Sequence, residues 1–106
     1  MTTTEKIALL KPLSENPAPD LSYFYDILEE CGDLKYNYYD YATTRPINCD
    51  RELQRLPSAD YDTCCALLTM LLREDHFCNG SFEERQDAGQ VQPIIDRMLL
   101  LLENEG

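Results

Sequence analysis

Apolar residues recur at helical spacing through most of this chain. Phe24, Ile27, Leu28 and Cys31 stand at i, i+3, i+4 and i+7. Tyr61, Cys64, Cys65, Leu68, Leu71 and Leu72 form a broader stripe of the same period, and Val91, Ile94, Ile95, Met98, Leu101 and Leu102 form a third. That period gathers side chains on one face, so each segment predicts an amphipathic helix that buries the face against a partner. The punctuation between them is clear. Thr2, with Glu5 three positions on, resembles a capping box for a first helix from Thr4 to Leu10 or Leu13. Pro12, Pro17 and Pro19 read as a rigid connector. The second helix starts near Asp20 and stops at Gly32, a favoured residue just past a helix end. A short helix from Asp50 to Leu56 ends before Pro57. Ser58 or Asp60 caps the next, which runs to about Phe77 or Cys78 before Gly80. Ser81 and Glu84 form a second capping box for a short helix, Gly89 breaks the chain, and Gln90 or Val91 opens the last helix, with Pro93 in its first turn.

One segment departs from this period. Leu34 to Tyr41 has strand-like composition and is the least helical stretch. Alternation there would place Tyr36 and Tyr38 on one face with Leu34, and Tyr39 and Tyr41 on the other. With no strand–helix–strand alternation, no repeat and no second domain boundary, the expectation is a single all-α domain over residues 1–106. It should be a compact bundle of five to six short helices with one extended Tyr-rich segment. A chain of this length is an ordinary size for one hydrophobic core. The longest uncharged apolar stretch, Met98 to Leu102, is far short of a membrane span. Met1 to Lys11 lacks the basic and apolar regions of a secretion signal. Five cysteines, Cys31, Cys49, Cys64, Cys65 and Cys78, make an odd set with no C-x-x-C pair, as expected of reduced, buried thiols in a cytoplasmic protein.

Charge changes the picture most. Twenty acidic residues against nine Lys and Arg give a net charge of -11, which disfavours nucleic acid and anionic membrane and favours a basic protein partner. No base occurs between Lys11 and Lys35, while Asp26, Glu29, Glu30 and Asp33 repeat at i, i+3, i+4 and i+7, the spacing of one helix face. Like charges so placed weaken a helix by a few tenths of a kcal/mol each, so core packing must hold it. The stripe reads either as a solvated outer face or as a mimic of nucleic acid, whose carboxylates take the place of phosphates in a Lys- or Arg-lined groove. Beside it, Tyr36, Tyr38, Tyr39 and Tyr41 flank Asp40, and Tyr serves well as an interface anchor. The same rings read equally well as a flap packed over the helices.

Arg73, Asp75, His76 and Asn79 cluster near the end of the Leu-rich helix. One reading is structural: Phe77 anchors the helix end in the core, Gly80 supplies a positive φ, and the polar residues satisfy helix-end carbonyls. The other is a polar pocket with His76 as acid or base. Zinc-site spacing is absent, and neither metal nor cofactor is expected. Arg73, Asp75, Phe77, Gly80 and, beyond them, Gly89 and the Ile94 to Leu102 helix resemble the R-x-D-R-F-x-E-G run and final helix of DUF6508, a bacterial family catalogued only as a domain of unknown function. The resemblance is good over the C-terminal part, from Leu67 to Leu102. His76 replaces the second Arg and Asn79 the Glu, which bears on any charged site the family shares. It implies an all-α fold and no particular activity.

With no catalytic fingerprint, the expectation is a non-enzymatic protein-binding protein. Its contact surface would combine Asp26, Glu29, Glu30 and Asp33 with Tyr36, Tyr38, Tyr39, Asp40 and Tyr41, acids steering and Tyr anchoring. In its concrete form this is an inhibitor that fills the basic groove of a nucleic-acid-handling protein, in the general style of anti-restriction and anti-CRISPR proteins. The alternative is a ligand-binding or enzymatic domain around Arg73, Asp75, His76 and Asn79. The Leu99 to Leu102 run, too wide for one core face, adds the option of a homo-oligomer.

Overall fold

The longest apolar stripe becomes the centre of the molecule. In the computed structural model, which describes residues 1–15 and 20–105, helix α4 (Tyr61–Phe77) is buried on every side from Cys64 to Leu72. A helix apolar all round belongs inside, and the other elements cover it. Helix α1 (Thr3–Glu15) packs on α2 (Leu21–Cys31) and on α6 (Gln92–Glu105), which lies against α4 together with α3 (Cys49–Leu53) and α5 (Ser81–Asp87). Among the described residues there are six α-helices and no strand, and the radius of gyration of 12.8 Å is that of a tightly packed chain of this length. The fold class is all-α, as the sequence pattern predicts.

Most of the helix signals operate as read. Thr2 and Glu5 cap α1 reciprocally: the Glu5 amide donates to Thr2 Oγ1 at 3.2 Å, and the Thr2 amide donates to Glu5 Oε1 at 3.3 Å. Asp20 caps α2 through the Tyr23 amide, and Asp60 caps α4 through the Thr63 amide. The first helix, however, runs through Pro12 to Glu15. Pro12 and Ala8 are both exposed, so the Ala8 carbonyl, deprived of its helical donor, lies on the solvent side and the proline is tolerated there. Leu13, on the other side, stays buried and ties this extra turn to the core. Pro17 and Pro19 fall outside the described residues.

Three further expectations are corrected. The Tyr-rich segment is not extended: Tyr38–Tyr41 winds into a 3₁₀ turn against α4. The short helix predicted from Asp50 to Leu56 spans Cys49–Leu53, and Pro57 sits inside a separate 3₁₀ turn, Leu56–Ser58. Ser81 does not cap α5. Gly80, at φ 90°, is the N-cap residue, and the carboxylate of Asp75 accepts from the Phe82 amide at 3.0 Å in the role assigned to Ser81.

Candidate functional site

Helix α2 turns Phe24, Ile27, Leu28 and Cys31 into the core and leaves Asp26, Glu29 and Glu30 exposed, so the two faces read from the sequence separate in the fold. Asp33 does not join them. The helix ends in a Schellman motif, with the Gly32 amide donating to Glu29 O and the Asp33 amide to Leu28 O, and Gly32 at φ 74°. This reversal ends the helical register one residue before Asp33 and sends its side chain inward. There it is only 6% exposed, 3.1 Å from Lys6 Nζ, and it accepts a 2.6 Å hydrogen bond from the Tyr61 hydroxyl. A carboxylate this buried needs such partners to offset the loss of water around it. Burial, with Cys65 and Asp33 close by, raises the Tyr61 phenol well above its ordinary value. Asp33 is a structural residue, not part of a contact face.

The tyrosines divide by the 3₁₀ period rather than by alternation. In a 3₁₀ turn residues three apart lie on the same side. Tyr38 and Tyr41 accordingly pack against the core, while Tyr36 and Tyr39 are 71% and 54% exposed. Asp40, next to Tyr39 in the chain, is also exposed. The pairing expected from a strand, Tyr36 with Tyr38 and Tyr39 with Tyr41, is therefore replaced. Tyr36 joins the acidic face instead: it lines an open depression with Glu29, Gly32 and Leu34.

The four polar residues at the end of α4 are put to different uses. Asp75 is used as the cap of α5, and His76 and Asn79 stand exposed. Phe77, expected in the core, is 81% exposed. The last turn of α4 runs past the helices that bury Cys64 to Leu72, and the aromatic anchor at this end is Phe82, 2% exposed and edge-on to Phe24 at 4.9 Å, a favoured geometry for two rings. Arg73 lines a groove. That groove, of about 320 Å³, lies between the last turns of α4 and the segment after α2, and Tyr38, Tyr39, Pro46 and Ile47 face Met70, Arg73, Glu74 and Phe77 across it.

Two polar clusters were not legible in the sequence. Glu52, 1% exposed, clasps the loop before α3: it accepts from the Thr43 amide at 2.9 Å, the Thr44 amide at 2.8 Å and Arg55 Nη1 at 2.7 Å, and from both threonine hydroxyls. Burial would raise this carboxyl, but the hydrogen bonds from Thr44, Arg55 and Thr43 outweigh it and hold it at about 2. Glu74 takes a bidentate pair from Arg85 at 2.6 and 2.8 Å, and Arg85 also reaches Asp50 at 2.9 Å. Paired bonds of this kind are among the strong ones, and those from Arg85 lower the Glu74 carboxyl. Apart from the i,i+3 pair of Glu52 and Arg55, the partners lie from 8 to 35 residues apart, and no spacing rule connects them.

Cys31, Cys49, Cys64 and Cys65 are free and buried, as expected, but Cys78 is exposed. Burial pushes the Cys64 thiol up to about 11 and Cys49, beside Glu74, up to about 12. Among the described residues no group of three His, Cys, Asp or Glu is placed to hold a metal ion, and no helix is long and apolar enough to cross a membrane. Of the Leu99 to Leu102 run, Leu99 and Leu102 are core, and Leu100 is half exposed.

No curated protein and no solved structure matches the chain. The match to a family model extends well beyond the C-terminal part, covering residues 5–104, α1 included. The chain belongs to the family of unknown function DUF6508.

Proposed function

We propose that this protein is a non-enzymatic binding protein that docks on a basic partner through the outer face of α2. The observation that carries this reading is the depression in which Glu29 meets Tyr36. It joins an exposed acidic stripe, Asp26, Glu29 and Glu30, to an aromatic ring 71% exposed. Carboxylates of this kind steer a basic surface and set its approach rate, whereas a large amphipathic ring supplies the affinity once it is covered. Tyr39 and Asp40, both exposed, stand three and four residues further along the chain than Tyr36. In its finer form the partner is a nucleic-acid-handling protein, and the acidic stripe occupies the groove that would hold phosphates, as anti-restriction and anti-CRISPR inhibitors do. Buried free thiols support a reducing compartment such as the cytoplasm.

Capture from host lysate with the tagged protein, beside a Glu29→Lys, Glu30→Lys double variant, tests this. A nucleic-acid-handling protein retained by the wild type, lost from the variant and displaced by added DNA or RNA is the expected result. Retention of the same proteins by both forms would overturn the assignment of the face. Retention that nucleic acid does not compete would overturn the mimic.

A further inference from the structure

The groove at the end of α4 pairs apolar rings with a cation that forms no ion pair among the described residues. Tyr39, Ile47, Met70 and Phe77 supply its apolar walls, and Arg73 and Glu74 are the charged residues that line it. Glu74 is clamped by Arg85, which takes up both carboxylate oxygens and offsets its charge. Arg73 is half-buried, with its Cζ 5.8 Å from the centre of the Tyr25 ring. Among the described residues it forms no ion pair with a carboxylate. A guanidinium held near an aromatic ring by cation–π attraction still carries N–H donors in the fork geometry that matches a carboxylate. In a chain with 20 acidic and nine basic residues, a half-buried guanidinium without an acid partner is a place where an anion is locally favoured.

We propose that this groove binds a small apolar carboxylate, with its aromatic or aliphatic body against Ile47, Met70 and Phe77 and its carboxylate paired with Arg73. The groove's volume of about 320 Å³ is at the small end of ligand sites, enough for one ring and a short chain. Phe77 is 81% exposed at the rim, and the bound body covers it. The net charge of -11 opposes an anion at long range. Physiological salt screens exposed charges beyond about 8 Å, while the contact with Arg73 is much less affected.

The test is an amide-shift titration of the full chain with phenylacetate, its neutral isostere phenylacetamide and the cation phenethylamine, at physiological ionic strength. Phenylacetate is expected to shift amides at Tyr39, Ile47 and Arg73 to Cys78. It should also bind at least about 10-fold more tightly than the amide, the discrimination typical of one charge-assisted contact. Arg73→Met should abolish that preference. Arg73→Lys should retain part of it and serves as the second variant should Arg73→Met not fold. Equal binding of the three probes, shifts confined to other surfaces, an unchanged preference in the Met variant, or no shifts with either phenylacetate or octanoate at millimolar concentration would each overturn the proposal.

Discussion

The carboxylates of this chain are chemically alike in sequence and differ entirely in what they do, and burial is what separates them. Glu29 and Glu30 face water, Asp33 holds Lys6 and Tyr61 inside, and Glu52 gathers two threonines and Arg55 at 1% exposure. A carboxyl held at about 2 in the fold, against an ordinary value of 4.5, favours the folded state above the ordinary value and loses that contribution as pH falls toward the folded one. The shift corresponds to about 3 kcal/mol. Glu52→Gln should therefore destabilise the protein by about 2–4 kcal/mol at neutral pH. It should also flatten the dependence of stability on pH between 4.5 and 2. Denaturant unfolding across that window checks both; an unchanged pH profile would contradict the clasp. The thiols divide in the same way. Cys78, exposed, should react rapidly with a thiol reagent, and the four buried cysteines only after unfolding.

At the scale of elements, the readings that succeed rest on short-range rules. The Thr2–Glu5 box, the Asp20 and Asp60 caps and the Gly32 stop each involve residues three or fewer positions from the helix end they serve, so the sequence displays them directly. The readings that fail depend on where the chain goes next. Counting by helical period carries the acidic stripe one residue too far, to Asp33, because it does not register the Schellman reversal at Gly32. The Tyr-rich segment has strand composition but no strand to pair with, and packing of Tyr38 and Tyr41 against the core decides for a 3₁₀ turn. Helix α5 is capped from outside by Asp75, seven residues before Phe82. Asp75→Ala should cost about 1 kcal/mol, the usual loss for an N-cap carboxylate. It should do so without altering partner binding, which a polar pocket centred on Asp75 would not allow; thermal unfolding beside a binding assay checks the pair of outcomes.

For the whole molecule, the core was legible and the surface only partly so. Three apolar stripes predict which helix faces are buried, and all three join one core. The surface is assembled from distant segments: residues 36–41 contribute Tyr36 to the acidic depression and Tyr39 to the groove at the end of α4. No local pattern foretells that the residues facing Tyr39 would be Arg73 and Phe77 rather than His76 and Asn79. The acidic stripe was visible because a helix face is a local object, and its neighbour Tyr36 was visible only as one of four. The central claim is that this face, with Tyr36, is where a basic partner docks. Calorimetric titration of the captured partner against the wild type, the Glu29→Lys, Glu30→Lys variant and Tyr36→Ala tests it most directly. The account predicts a loss of about 30-fold or more in affinity for each variant, the mark of a hot spot, with unfolding midpoints unchanged. Wild-type affinity in both variants would contradict it.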